Sequence, residues 1–319
     1  MHELVEKQLA CPVCHGPLTE DGLGCQACGL RFSEYQGIPC LFGPGKEDLW
    51  AQNQSGLAKL LAENPETAQK LENSPEEALN GADTFAKAAL RKEQGRYLEA
   101  IALQRAAWQK SYPPEYIACF QAQLDFIAQS LAWVSGPIVD IASGRGMLVS
   151  QLQKGTAAPL VATDLSPFVL VNSLAPLWPE ELARGRLSML AFDATAMPFQ
   201  DKSLPVLTTC LGLQNIPNPQ LAAKELRRVC AGKLYALCQF FPEDDEKNQQ
   251  AAARFGLAGA YVQSALAAMM EATGWRVSFH NGPWLRQPPT PVGQVAPGLH
   301  VDALPVEETL GRVATMICE

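Results

Sequence analysis

The stretch Pro137-Ile-Val-Asp-Ile-Ala-Ser-Gly-Arg-Gly146 restricts this chain more than any other. Pro137 to Asp140 reads as the end of a short buried strand, and Ala142 to Gly146 as a turn of small residues. Met147 to Gln153 then follows helical spacing, with Met147, Leu148 and Leu152 as its apolar positions. A strand passing through a tight, small-residue loop into a helix is how α/β folds hold nucleotides, because the missing bulk lets a ligand press on backbone. The spacing is Asp-x-Ala-x-Gly-x-Gly, which excludes the Gly-x-Gly-x-x-Gly of NAD-type turns.

The blocks that follow keep the same alternation. Leu160-Val-Ala-Thr-Asp164 is a second apolar run ending in an acid. An acid in that place grips a ribose diol, since a carboxylate can accept from both hydroxyls. Leu187 to Asp193 is a third such run, followed by Ala194. Leu204 to Pro217 reads as a fourth strand with its loop, Lys224 to Gly232 as a helix and turn, and Lys233 to Phe240 as a fifth strand. Trp275 to His280 reads as a sixth strand and Leu310 to Cys318 as the last.

This order resembles the class I S-adenosylmethionine-dependent methyltransferases, whose loop reads Asp/Glu-x-Gly-x-Gly-x-Gly; Ala142 stands where the first Gly is expected. The resemblance implies an α/β fold with a doubly wound, mostly parallel, Rossmann-like sheet of seven strands, the last inserted antiparallel between the fifth and sixth. It implies S-adenosylmethionine as cofactor, held by Asp140, Ala142, Ser143, Gly144 and Gly146 at the loop, with Asp140 ordering the turn. Asp164 and Leu165 would lie at the ribose, Asp193 and Ala194 at the adenine, and Leu211 after the fourth strand.

The acceptor is fainter. Methyl transfer from a sulfonium is an in-line displacement with a cationic leaving group, so orientation matters more than acid–base help. Family members that methylate exocyclic amino groups carry Asp/Asn-Pro-Pro-Tyr/Phe after the fourth strand. This chain has Cys210-Leu-Gly-Leu there, which argues against such acceptors. Gly212-Leu-Gln-Asn-Ile-Pro217 is similar to the matching loop of ubiquinone and menaquinone C-methyltransferases, which act on small apolar rings. His280 and Tyr116 are the catalytic candidates, although an isolated His is more often a surface or satisfied group.

Near the start stand two Cys-x-x-Cys pairs, Cys11 with Cys14 and Cys25 with Cys28. Two such pairs suit a four-sulfur zinc site, which is closed to substrate and therefore structural. Two disulfides are the alternative. Leu9-Ala-Cys-Pro-Val-Cys-His-Gly-Pro-Leu18, with Gly37-Ile-Pro-Cys-Leu-Phe42 closing the module, resembles the small zinc proteins that activate tRNA and protein methyltransferases. A comparable ribbon opens the bacterial ribosomal RNA guanine-N1 methyltransferases. Residues 1–43 carry Lys7 and Arg31 against Glu3, Glu6, Glu20, Asp21 and Glu34, a net −3. RNA-holding ribbons present basic residues, so scaffolding or docking of a protein partner is the favoured role.

The expected organisation is a zinc ribbon at 1–43, a helical linker and cap at 44–134, and the methyltransferase domain at 135–319. Asn64-Pro and Ser74-Pro read as helix starts. Trp108, Tyr112 and Tyr116 are either core or acceptor-pocket aromatics. Residues 241–256 read as a polar bridge, 257–273 as a helix and 281–305 as a long Pro- and Gly-rich loop.

A formal charge of −8 over 319 residues weighs against a partner held by phosphate contacts. The first residues form no secretory signal, and no apolar run is long enough to span a membrane. With ten Cys, a reducing cytoplasm is the expected setting. The leading reading is thus methyl transfer to a small-molecule acceptor. A ribosomal RNA base methyltransferase and a non-catalytic cofactor-binding partner protein are the alternatives.

Overall fold

The computed structural model describes residues 2–46, 56–300 and 302–319; part of the expected linker, residues 47–55, lies outside them. The sheet has nine strands: β1 Ser33–Tyr35, β2 Ile38–Cys40, β3 Ile138–Asp140, β4 Leu160–Asp164, β5 Leu187–Ala191, β6 Leu204–Cys210, β7 Cys230–Phe240, β8 Val277–Gln287 and β9 Thr309–Cys318. Their spatial order is β1-β2-β5-β4-β3-β6-β7-β9-β8. β3 to β7 are parallel, and β9 runs antiparallel between β7 and β8. The order reverses at β3, which pairs with β4 on one side and β6 on the other. That reversal opens a crevice at the strand C-termini, where doubly wound sheets take their ligands.

Both faces of the central strands are buried, so their residues alternate between two cores. Val139 and Val161 pack on one face with Leu207, Leu226 and Met316. Ile138, Leu160 and Ala162 pack on the other with Phe120, Ile127 and Leu148. This double burial explains the unbroken apolar runs of a parallel sheet.

The ribbon is continuous with this core. Val5, Leu9, Phe32 and Leu41 belong to the cluster that holds Phe192, Met197 and Phe199. The Leu41 N–H donates to Ala191 O at 2.8 Å, and Cys40 pairs with Ala191, so the β1–β2 hairpin extends the sheet beyond β5. A second seam is formed by Ala10 N–H to Pro198 O and Gln200 N–H to Gln8 O, both 2.9 Å.

The cap comprises α1 Gly56–Glu63, α2 Pro65–Asn73, α3 Gly81–Glu93, α4 Tyr97–Ser111 and α5 Pro114–Ser130. Pro opens α2 and α5 at the position where a missing N–H costs nothing. Ser74-Pro starts only a single 3₁₀ turn, Glu76–Ala78. The longer helix waits for Asn80, whose side chain accepts from Asp83 N–H at 2.9 Å.

Three expected boundaries move. The sixth strand does not stop at His280: Asn281-Gly-Pro is absorbed as a register shift, and pairing resumes at Trp284 opposite Arg312. The expected loop therefore begins only at residue 288. The polar bridge contains a helix, Glu246–Arg254, capped by the Asp245 carboxylate on Asn248 N–H. The helix expected over 257–273 covers only Gln263–Glu271, because Gly256 and Gly259 take left-handed turns before it.

Candidate functional site

The loop after β3 is built from alternating left-handed residues: Ala142 (φ 51°), Gly144 (φ 51°) and Gly146 (φ 71°). Such alternation folds the loop into a tight concave turn, fastened by Ser143 N–H on Thr163 O at 2.7 Å and Gly146 N–H on Ser143 O at 2.8 Å. At Gly144 an added Cβ would meet nothing nearer than Ala142 O at 4.0 Å, so the space beside the loop is open. At Gly146 the opposite holds, with Leu174 Cδ2 only 2.0 Å from an added Cβ. Ala142 is an L-residue where Gly is easier, and its Cβ lies 3.0 Å from where one would stand on Gly212. Gly212 is confined first by Thr209 Oγ1, 2.2 Å from an added Cβ, and then by Ala142 Cβ and Ile141 O, both at 3.0 Å.

Asp140 lies beneath the turn, fully buried. Its Oδ1 accepts from Thr208 Oγ1 at 2.6 Å, and its backbone O accepts from Ser143 Oγ at 3.0 Å and Thr163 Oγ1 at 2.8 Å. Its Oδ2 is buried without a partner among the described residues. Burial pushes the carboxyl up to about 7, against the hydrogen bonds of Thr208 and Ser143. It orders the loop and does not line the cavity.

Asp164 ends β4. Its Oδ2 accepts from Gly144 N–H at 2.9 Å and its Oδ1 from Ser166 N–H at 3.0 Å. Burial raises this carboxyl above the usual range. Both oxygens keep a free lone pair for a diol. Asp193 follows β5; its Oδ1 accepts from the Thr195 N–H (2.8 Å) and hydroxyl (2.7 Å), and its Oδ2 meets Lys46 Nζ at 2.5 Å. Burial raises Asp193, but the Lys46 ammonium and the Thr195 donors outweigh it and hold the carboxyl low.

These groups surround a cavity of about 780 Å³ at the sheet reversal. Ala142, Ser143, Gly144, Asp164, Leu165, Asp193, Ala194 and Leu211 all line it. Gly146 does not; it packs under Leu174 instead. Leu211 takes a left-handed conformation as β6 ends, which turns the chain away and leaves Gly212 against the loop.

The opposite wall comes from the cap. Phe85, Ala89 and Lys92 face the cavity from α3, Gln104 and Trp108 from α4, and Tyr116 and Phe120 from α5. Each set is spaced by three or four residues, one helical face apiece. Tyr112, between α4 and α5, stacks on Tyr116 at 4.9 Å, and Trp108 meets Phe120 edge-on at 5.4 Å. The aromatics are thus core on one side and cavity wall on the other.

The two catalytic candidates part company. His280 is exposed on β8, stacked on Phe126 at 3.9 Å with Nδ1 3.1 Å from Gln123 Oε1, and is outside the cavity wall. The expectation failed because the edge strand points that face at α5 rather than at the strand C-termini. Tyr116 does line the cavity, but its hydroxyl donates to Gln239 Oε1 at 3.1 Å and burial pushes the phenol well up, so it is no base. Sequence reading missed Lys46, Phe85, Lys92, Arg145 and Asp302. A lysine on the Phe85-Ala89 face of α3 was a visible signal; Asp302, delivered by an irregular loop, offered none.

At the other end of the chain, Cys11, Cys14, Cys25 and Cys28 place their sulfurs within 4.8 Å of one another. The Cys11–Cys28 and Cys14–Cys25 separations are 3.8 and 3.4 Å. Zinc–sulfur bonds of about 2.3 Å in a tetrahedron give edges of about 3.8 Å, so the donor set fits one metal ion. His15 (φ 56°) and Gly29 (φ 74°) turn the chain after each pair. Val13 and Cys28 N–H groups point at the Cys11 and Cys25 sulfurs, both at 3.4 Å. The Cys28 N–H leads in holding the Cys25 thiol low, at about 6, which favours the thiolate a metal needs.

Residues 139–235 match the family model described as a methyltransferase domain. A demethylmenaquinone methyltransferase of Renibacterium salmoninarum is 32% identical over 99 residues, 30% of this chain and 38% of that protein. An uncharacterised Mycobacterium tuberculosis protein is 33% identical over 93 residues, 29% of this chain and 32% of its own. The chain thus spans about a third of the length of such relatives. Among solved structures, the YcgJ protein of Bacillus subtilis superposes with a TM-score of 0.49 at 15% identity, covering 62% of this chain and 98% of that one. With the strand order, the loop cradle and the family match together, this chain carries the domain of the class I S-adenosylmethionine-dependent methyltransferases.

Proposed function

We propose that this protein transfers a methyl group from S-adenosylmethionine to a small-molecule acceptor enclosed beneath the helical cap. One observation carries the reading: a single cavity of about 780 Å³ has the nucleotide-type loop as its floor and a row of cap aromatics as its far wall. That volume lies within the range of small-molecule sites, roughly 300–1,000 Å³. When bound, S-adenosylmethionine supplies an electrophilic methyl group on sulfur. The open space beside Gly144 would take the cofactor's chain, Asp164 the ribose hydroxyls and Asp193 the adenine amino group. Asp140 would hold the loop from below. Trp108, Tyr112 and Phe85 would orient an apolar acceptor and exclude water. The demethylmenaquinone methyltransferases among the relatives support a ring-bearing acceptor.

The four cysteines would hold a structural zinc ion whose shell they complete, with no chemistry of its own. The other six cysteines, as free thiols, suit a reducing cytoplasm. Among the described residues no helix is long and apolar enough to cross a membrane. We also read 1–43, 44–134 and 135–319 as ribbon, cap and catalytic domain. The ribbon would act as a scaffold, with its outer face available to a protein partner.

The test is transfer of labelled methyl from S-adenosylmethionine into fractionated cell extract, run beside calorimetry with S-adenosylhomocysteine. Label in the small-molecule pool supports the proposal. Label in RNA overturns it in favour of a base methyltransferase. Absence of cofactor binding overturns it outright.

A further inference from the structure

The cap side of the cavity carries two cations. Arg145 sits between the two glycines of the loop, and its side chain rises off the floor until Cζ stands 4.6 Å from the Phe85 ring centroid. Protein encloses it, yet its surface is exposed, because what it faces is the cavity. Among the described residues the guanidinium has no hydrogen-bond or ion-pair partner, only the aromatic face. Lys92 lies two turns along the same face of α3 from Phe85 and also lines the cavity. Its ammonium donates one hydrogen bond, to Ser173 Oγ at 3.0 Å, and holds further donors in reserve.

Two acids share this side. Asp302 already accepts from the Tyr112 hydroxyl, and Glu93, exposed beside Lys92 at the end of α3, also lines the cavity. Neither forms an ion pair with Lys92 or Arg145 among the described residues, but their charges favour the cations from a distance, Asp302 acting on Arg145 and Glu93 on Lys92. A cation that faces a cavity with only a distant counter-charge gains from a ligand that supplies a direct one. Burial first, and then the Arg145 charge, push the Lys92 ammonium down to about 8 against the Glu93 charge; burial also lowers Arg145, against the Asp302 charge.

Resting on the methyltransferase reading, we infer that Lys92 and Arg145 form an anion-binding subsite for the acceptor, which would be an apolar or aromatic molecule bearing a carboxylate or phosphate-type group. The body of the acceptor would lie on Trp108 and Tyr112, with its anionic group in the fork of the guanidinium and within reach of the Lys92 ammonium. The sheet ends form the floor, so the acceptor approaches from the cap, where both cations stand. Planar, bidentate recognition is what an arginine adds over a lysine at such a place.

The experiment uses the full chain, with and without S-adenosylhomocysteine, and matched probes: benzoate against benzamide, and phenyl phosphate against benzyl alcohol. Wild type should bind the anionic member at least about tenfold tighter, the worth of a charge-assisted hydrogen bond. Arg145→Gln and Lys92→Gln should each remove most of that preference, and Arg145→Lys should keep part of it. No preference in wild type, or a preference that survives both Gln variants, overturns the inference. So does a selective loss of S-adenosylhomocysteine affinity, with 5′-methylthioadenosine (which lacks the carboxylate) unaffected, since the pair would then serve the cofactor. If Arg145→Gln fails to fold by near-UV circular dichroism, Lys92→Gln and Arg145→Lys carry the test. Failure of wild type to bind S-adenosylhomocysteine sinks the methyltransferase reading, while the unloaded protein still reports the charge preference separately.

Discussion

Asp83 is the point at which the cap holds the C-terminal excursion in place, and replacing it by Asn is the most informative single change outside the cavity. The residue is 1% exposed on α3. Its Oδ2 accepts from Gln294 N–H at 2.9 Å, and its Oδ1 accepts from Val295 and Ala296 N–H at 3.0 and 2.9 Å. In Asp83→Asn the better amide orientation keeps two of the three bonds, now without charge, and turns an NH₂ toward the third N–H. Downgrading two bonds costs about 1 kcal/mol each, and leaving a buried donor unpaired adds about 1–3 kcal/mol. The sum is about 3–5 kcal/mol. The loop is otherwise fastened by Asn80 Nδ2 to Val292 O at 2.8 Å and by Thr290 Oγ1 to Asp302 O at 2.9 Å. The loss should therefore appear as local opening of residues 288–300 rather than global unfolding. Backbone amides there should exchange at least about a hundredfold faster by hydrogen-exchange mass spectrometry, since 1.4 kcal/mol is a factor of ten. Acceptor KM should rise as Asp302 loosens from Tyr112, with S-adenosylhomocysteine affinity little changed. Exchange in 288–300 within threefold of wild type would refute the reasoning.

The other expectations concern the loop, the acids and the ribbon. Asp164→Ala should weaken S-adenosylhomocysteine binding by about one to two orders of magnitude, the worth of charged hydrogen bonds at a diol, and unchanged affinity in calorimetry would remove the ribose assignment. Gly146→Ala should destabilise the fold by about 2–4 kcal/mol, combining left-handed strain with overpacking against Leu174, as read from urea midpoints. Asp140 is raised in the folded protein to about 7 from an unfolded value near 3.8, so the native state binds the extra proton; its contribution is full below about 4 and is lost as pH rises through 7. Asp140→Asn should flatten that decline in a urea-midpoint series over pH 4–8, and an unchanged slope would remove the assignment. Zinc chelation should lower the melting temperature of the chain in one transition, because Val5, Leu9 and Leu41 share the core of Phe199; an early transition confined to the ribbon would count against that coupling.

The parts read correctly in the sequence are those written in local pattern. A buried parallel strand announces itself as an unbroken apolar run, so β3 to β7 were legible, as was the acid that ends β4. The Cys pairs carry their own geometry in their spacing. The strand end at His280 was misjudged because Asn-Gly-Pro is turn chemistry wherever it stands, and only pairing with β9 converts it into a shift of register. His280 failed as a site residue for the same reason: which face of an edge strand meets the cleft is decided by the neighbouring helix, not by the strand. Trp108, Tyr112 and Tyr116 could be assigned to core or pocket only by the packing of α3, α4 and α5, and they serve both.

The sheet by itself provides only the floor of the site. Everything above it comes from segments that differ in origin and meet at the same opening. The run leaving the ribbon places Lys46 on Asp193, the cap contributes Phe85, Lys92 and the aromatic row, and the excursion after β8 delivers Asp302 to Tyr112. Lys46 meets Asp193 across 147 residues and Tyr112 meets Asp302 across 190, and even the cap reaches the floor across 81 from Lys92 to Ser173, so no local pattern could reveal them. The consequence is chemical as well as architectural. On the proposed reading the floor would meet the cofactor, which every acceptor shares, whereas the groups that would distinguish one acceptor from another sit on the added pieces. Selection for a new acceptor could therefore work on α3, α4 and residues 288–305 without disturbing Asp140, Asp164 or the Gly144 cradle. Arg145 is the exception, a floor residue whose side chain reaches Phe85 of the cap, and in the proposed subsite it would tie the choice of acceptor to the loop assigned to the cofactor.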